Sequence, residues 1–264
     1  MNNTVTVRTI GELVGHIREI RRHPDQELWY RGHSSSAYSV APSIWRGYTH
    51  HDERNLSNRF RARAAIRYAN SPRYESYAGW LSLMQHYGLP TRLLDWSRSP
   101  LIAAYFAIER YLGETADVRD AKIWILDPFA LNAAEGQEPI TPSVEATMCS
   151  ERLRPAFSDY KTTEKNDVIA VMAAETDLRM FVQQGCFTIH SRTSPLEDTE
   201  GHGRYLSAVT VPASAVMDFA DQVRTCGFRR ADIYPDLANL ARDLLTAHPK
   251  GWASAKGSSG SATS

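Results

Sequence analysis

Residues 84–107, MQHYGLPTRLLDWSRSPLIAAYFA, constrain the fold more than any other stretch, because turn, strand, cap and helix signals follow one another without a spare residue. Gly88-Leu89-Pro90 forces a turn. Thr91 to Trp96 reads as a short strand that ends beside the charge of Asp95. Ser97 and Ser99-Pro100 then open an apolar helix over residues 100–110: a serine hydroxyl accepts from a free helical N–H, and proline costs nothing in the first turn. Such a junction sets Arg92, Asp95 and Ser97 near a helix N-terminus, where free N–H groups and the dipole favour an anionic ligand group. Gln85, His86 and Tyr87 add polar edges just upstream.

The remaining chain alternates helical and extended signals. Leu13, Ile17 and Ile20 at helical spacing predict a helix over residues 10–22, with Thr9 as its cap. A strand over Glu27–His33 follows, and alternation puts Arg31 and His33 on the same face. Residues 38–46 read as extended. Leu56, Phe60, Ala64 and Tyr68, four apart, predict a helix packed on that face with arginines on the rest. A further helix is expected over residues 74–84, and strands over 121–126, 168–172, 186–190 and 205–211. Pro139, Pro142 and Pro155 make 130–166 an irregular excursion. Residues 175–184 form a short helix or turn. Two late helices lie within 213–227 and 235–245, the last with Leu237, Leu240, Ala241 and Leu244 inward. The fold class is α+β, an N-terminal helical portion followed by mainly antiparallel strands, in one domain over residues 1–250. Residues 251–264, nearly all Gly, Ser, Ala and Thr, cannot bury enough apolar surface to order themselves and are expected to be a disordered tail.

Composition removes several classes of function. The 30 basic residues balance 30 acidic ones, so no global field argues for nucleic acid or an anionic membrane. No apolar run approaches the roughly 20 residues that span a bilayer. Three widely separated cysteines suit a reducing compartment, so a cytoplasmic location is expected. The histidines form no zinc-type pair with a carboxylate, and there is no phosphate-loop or dinucleotide glycine fingerprint, so no metal is expected. Cys186 and His190 share a strand face among apolar neighbours and read as a buried structural thiol with a core histidine.

What remains suits an anionic, aromatic ligand. Arg31 and Arg92 can each make paired hydrogen bonds to a phosphate, and Tyr30, Tyr87, Trp96 and Tyr105 offer flat faces. Asp95 can orient Arg92 or accept a ribose hydroxyl; equally, Arg92 and Asp95 can form a structural ion pair, and Trp96 and Tyr105 can simply pack in the core. Six arginines crowd residues 54–73. Arg59 and Arg63 are the nucleic-acid contacts to consider there, against the plainer reading of a solvated helix face.

Tyr30-Arg31-Gly32, within LWYRGHSSSAYSVAPSIWR, and the later block LMQHYGLPTRLLDWSRSPLIAAYFAIE resemble the FRG-domain proteins, named for a Phe/Tyr-Arg-Gly motif. Weaker echoes follow in RMFVQQGCFTIH (179–190) and at Asp232 to Leu237. The order of these blocks resembles, less closely, the three-block layout of ADP-ribosyltransferases. That resemblance implies an ADP-ribosyltransferase-like fold and NAD as substrate. Arg31 would contact the ribose and phosphates, Ser97 would support the pocket, and a third-block Glu would stabilise the oxocarbenium-like ribose. Here Gln183 and Gln184 stand where that Glu is expected. A carboxylate would then come from Asp95, Glu175 or Asp236, or the fold binds without transfer. The catalytic candidates are Arg31, Asp95 and Gln184; the NAD-binding candidates add Tyr30, Gly32, His33, Gln85, Tyr87, Arg92, Ser97 and Gln183. The resemblance implies a toxin or phage-defence effector that modifies RNA, DNA or protein, with an antitoxin or inhibitor protein as partner and no membrane. The alternatives are a non-catalytic module for nucleotides or single-stranded nucleic acid, and an NAD glycohydrolase.

Overall fold

The computed structural model describes residues 5–112, 117–158, 166–174 and 178–248. The tail at 251–264 and the candidate carboxylate Glu175 lie outside them. The strands are β1 (Val5–Thr6), β2 (Trp29–His33), β3 (Leu93–Ser97), β4 (Ala121–Leu126), β5 (Val168–Met172), β6 (Gly185–His190) and β7 (Leu206–Val211). They form one seven-stranded sheet in the order β1-β7-β4-β2-β3-β6-β5. Every pairing is antiparallel except β1 with β7. The helices are α1 (Ile10–Ile20), α2 (His50–Ala64), α3 (Tyr77–His86), α4 (Pro100–Ile108), α5 (Pro128–Ala134), α6 (Thr147–Leu153), α7 (Leu178–Val182), α8 (Ala213–Thr225), α9 (Arg230–Ile233) and α10 (Leu237–Ala247). The α+β expectation therefore holds, with a mixed and mostly antiparallel sheet.

Strand alternation divides the core. On one sheet face, Tyr30, Ile123, Ile125, Val209 and Val211 pack with α1, α4 and α8. On the same face of the other half, Leu93, Ile169, Val171, Phe187 and Ile189 pack with α3 and α6. The seam between these two clusters falls at β2 and β3. The opposite face carries Trp29, Trp96 and Trp124 over Leu131 of α5.

Local signals were obeyed where they concern one element. Thr9 caps α1 and Ser99 caps α4, each accepting from the N–H three residues on, and Pro100 opens α4. Residues 38–46 instead contain a single 3₁₀ turn at Ser43–Trp45. The stretch 130–166 is not wholly irregular: Asp127 caps α5 with Pro128 in its first turn, and α6 lies between Pro142 and Pro155. The expected face of α2 does meet the core, with Ala64 buried and Leu56 and Phe60 half-buried against the same cluster, but it also buries Glu53 and Ser57. One helix face differs from expectation. In α10 none is buried, and Leu237, Leu240 and Leu244 are exposed. A periodic apolar stripe reports that a face can be buried; whether a partner element covers it is decided by the tertiary fold. No helix among the described residues is long and apolar enough to cross a membrane.

Candidate functional site

β2 holds five registered pairs with β4 but only one with β3, Tyr30 opposite Ser97. The two strands therefore part beyond that pair. The opening is a cavity of about 290 Å³, into which Tyr30, Arg31, Gly32, His33, Asp95, Ser97 and Gln183 all project atoms. Seven of the expected site residues thus meet in one place.

Arg31 spans the gap. Its Nη1 donates to the Asp95 carbonyl at 2.6 Å and its Nε to His33 Nε2 at 3.1 Å, so the predicted common face of Arg31 and His33 is observed. No carboxylate among the described residues forms an ion pair with it, and burial lowers its pKa, partly offset by the Asp95 charge. With Nε2 accepting from Arg31, the His33 proton belongs on Nδ1, which faces the Tyr38 carbonyl at 3.2 Å. The Trp124 indole N–H, 3.3 Å from the same Nδ1, is then a close neighbour rather than a second donor. Burial, followed by the Arg31 and Arg46 charges, drives the His33 pKa down to about 3. His33 is a neutral strut for the guanidinium.

Asp95 is exposed at the cavity wall. Its Oδ2 accepts from Gln85 Nε2, and Gln85 Oε1 accepts from the buried Thr91 hydroxyl at 3.0 Å. Gln85 thus aims the carboxylate instead of lining the cavity. The Ser97 hydroxyl donates to the Gln183 carbonyl at 2.7 Å and accepts from the Ser99 N–H at 3.0 Å. It ties the end of β3 to the loop ahead of β6. The Gln183 amide donates to the Ile233 carbonyl at 3.0 Å.

Three expected site residues lie elsewhere. Arg92 is buried in an ion pair with Glu53 of α2, and its Nη1 donates to the Arg152 carbonyl at 2.8 Å. Three positions apart on an extended chain, Arg92 and Asp95 face opposite ways, so they neither pair nor share a pocket. Tyr87 is 59% exposed and packs on Tyr68. Gln184, taken as catalytic, is exposed in the left-handed region (φ 47°), where it terminates α7 with its backbone, and it does not line the cavity. Asp236 is the N-cap of α10, accepting from Asn239. Tyr105 is a core residue; Trp96 is buried as well but contributes to the cavity lining. The Cys186 thiol is fully buried, and burial raises its pKa well above the ordinary range.

Two residues escaped sequence reasoning. Arg46 and Arg179 also line the cavity, so three arginines and, among the described residues, one carboxylate, Asp95, line it. Arg46 is held by the Ala41 carbonyl at 2.9 Å, and Arg179 lies over the Tyr234 ring at 5.0 Å. Both stand at the edges of the blocks already singled out, Arg46 closing the first and Arg179 opening the third. That position was the available signal.

A buried neutral imidazole makes stability depend on pH. His190, packed with Thr188 and Trp96 on the same sheet face as His33, is also pushed down to about 3 by burial and then by Arg192 and Arg31. Between pH 6.5, the ordinary histidine value, and about 3, the unfolded chain binds protons at these two sites that the folded chain refuses. Stability must fall as pH falls. From pH 6.5 to 5, above the carboxylate range, the loss is about 2 kcal/mol per imidazole. Urea midpoints measured across that interval should drop accordingly, and His190→Gln should roughly halve the slope. A flat profile would refute the neutral, buried state.

Residues 26–115 match the family model of the FRG domain, so the chain carries an FRG domain there. That segment includes β2, β3 and α4, and with them the Tyr30-Arg31-Gly32 motif. No curated protein and no solved structure gives a match.

Proposed function

We propose that the β2–β3 cavity binds the nicotinamide-ribose end of NAD and that the chain is an ADP-ribosyltransferase-like enzyme acting on RNA, DNA or protein. The observation that carries this reading is one carboxylate, Asp95, set among Arg31, Arg46 and Arg179 in a cleft where two antiparallel strands part. Guanidinia suit a pyrophosphate because they present paired donors to its oxygens. A volume of about 290 Å³ is at the small end of ligand pockets. It accommodates a nicotinamide riboside portion, with the adenosine end left outside.

The residues divide the work as follows. The guanidinia hold the phosphates and fix the ribose against β3. As the bond between the anomeric carbon and the nicotinamide nitrogen breaks, its electron pair passes to the pyridinium and neutralises it. Positive charge develops on the ribose, where the Asp95 carboxylate, aimed by Gln85, stabilises it. An acceptor nucleophile closes the reaction and gives up its proton; with water in that place the outcome is NAD hydrolysis. His33 has both ring nitrogens engaged and serves as a positioning residue for Arg31.

No second carboxylate lines the cavity among the described residues, which favours as second reading a nucleotide-binding module without turnover. The purified chain, incubated with NAD labelled on the adenylate and with cell extract, separates them. The enzyme reading expects nicotinamide release and label transfer, both reduced about 100-fold or more by Asp95→Asn, with NAD binding by calorimetry retained. Arg31→Ala should weaken binding itself. Binding without release would establish the module instead, and no NAD binding would end both readings.

A further inference from the structure

The part of the apolar face of α2 that the core does not take up lines a second depression, about 540 Å³, which shares no residue with the β2–β3 cavity. Its floor is Leu56 and Phe60 of α2 with Leu83 of α3 and Leu89 of the following turn. All four are partly buried side chains whose remaining surface opens to solvent. The apolar stripe of α2 is therefore half covered: it packs on the core beside α3, and its remaining surface opens into the depression. The buried Glu53–Arg92 pair lies on the same side of α2 as Phe60 and Ala64 and anchors that side to the core.

The rim carries charge of one sign. Arg59, Arg63 and Arg67 line the depression, and no acidic residue does among the described residues. All three are exposed and none enters an ion pair with a described carboxylate. Arg61, between them in sequence, is different: it is spent on Asn58 and on the Tyr74 ring, 3.9 Å away. Arg59 and Arg63 stand one helical turn apart, about 6 Å along the axis at 1.5 Å per residue, and Arg67 follows on the next turn of chain with Nη1 on the Arg63 carbonyl.

We propose that this groove docks an acidic amphipathic helix of a protein partner. Aliphatic side chains at i, i+3, i+4 and i+7 of the partner would fill the leucine and phenylalanine floor, and carboxylates one turn apart would meet Arg59 and Arg63. This is the helix-in-groove mode of recognition, in which the apolar anchors supply affinity and the rim charges fix register. The floor decides against nucleic acid as occupant. Bases need flat aromatic platforms, whereas this floor is mainly aliphatic and its two tyrosines, Tyr68 and Tyr87, meet edge to face at 78°.

The test selects, on the full chain, from a display library of 16-residue peptides with Leu fixed at i, i+3, i+4 and i+7 and the other positions random. The selected pool should be rich in Glu and Asp at one-turn spacing. A fluorescein-labelled member should lose at least 10-fold in affinity on the double variant Arg59→Glu/Arg63→Glu, with circular dichroism unchanged. Its Glu-to-Lys counterpart should recover binding on that variant, a reversal that misfolding cannot produce. Phe60→Ser should weaken both peptides. Failure to enrich any pool, or a pool indifferent to the charge reversal, overturns the proposal. So does a labelled 12-mer oligouridine that binds tightly, displaces the peptide and loses affinity in the same double variant.

Discussion

Gly32→Ala leaves little folded protein. A Cβ at position 32 would stand 1.9 Å from the Ala103 carbonyl oxygen and 2.5 Å from the Ala107 backbone nitrogen. Both atoms belong to the hydrogen-bonded backbone of α4, so no rotamer change relieves the contact. The helix itself would have to lift by more than 1 Å, and it carries Ile102, Ala103, Tyr105, Ala107 and Ile108 of the larger core cluster with it. Overpacking a core ordinarily costs about 1–3 kcal/mol. Displacing a central helix belongs above that, at about 4 kcal/mol or more, against a total stability of about 5–15 kcal/mol. Urea denaturation and soluble yield read the effect. Gly185→Ala is the control, because its nearest new contact, 2.4 Å away, is the terminal methyl of Met180, which can swing aside. It should cost about 1 kcal/mol. Ala103→Gly should fail to rescue Gly32→Ala, since the obstacle is the carbonyl and not the methyl. A Gly32→Ala midpoint equal to the parent's would show that α4 does not sit this low on β2.

That contact gives the Tyr30-Arg31-Gly32 motif a physical account. Tyr30 fills the core on one side of the sheet, Arg31 reaches the cavity from the strand's other side, and Gly32 admits the backbone of α4, whose own alanines keep the approach close. The strand, the common face of Arg31 and His33, and the Ser99-Pro100 start of α4 were legible in the sequence because each depends on neighbours within a few residues. The need for glycine was visible only as a motif, since its cause lies 71 positions downstream in α4. Arg92 shows the same limit. Its chemistry suited a phosphate, but its partner Glu53 sits 39 residues away, and no local pattern says which cation a buried carboxylate will find. The stripe of α2 was read correctly as the face turned to the core, where Ala64 is buried and Leu56 and Phe60 pack half-buried; the buried Glu53 on that same face, three residues before Leu56, was the part no apolar pattern could show. Gln184 was placed by analogy of position, and its left-handed backbone turns the side chain outward.

Arg92→Met should be among the most damaging substitutions away from any site. The pair it breaks is almost sealed from water, at 2% and 0% side-chain exposure. Arg92 Nε and Nη2 meet the two oxygens of Glu53, and Nη1 meets the Arg152 carbonyl, so one guanidinium joins α2, the entry to β3 and α6. Removing it leaves the Glu53 carboxylate buried without a counter-charge, at a cost of about 3–5 kcal/mol. Glu53→Met alone should cost a similar amount by stranding the guanidinium. The double variant Arg92→Met/Glu53→Met behaves differently, because it removes the desolvation of both charges and fills the space with apolar atoms. It should lie within about 1–2 kcal/mol of the parent, on either side. A double-mutant cycle from urea midpoints then gives a coupling energy of several kcal/mol, far above the few tenths expected of independent sites. Near-additive single variants would mean that the two charges are not held as a buried pair.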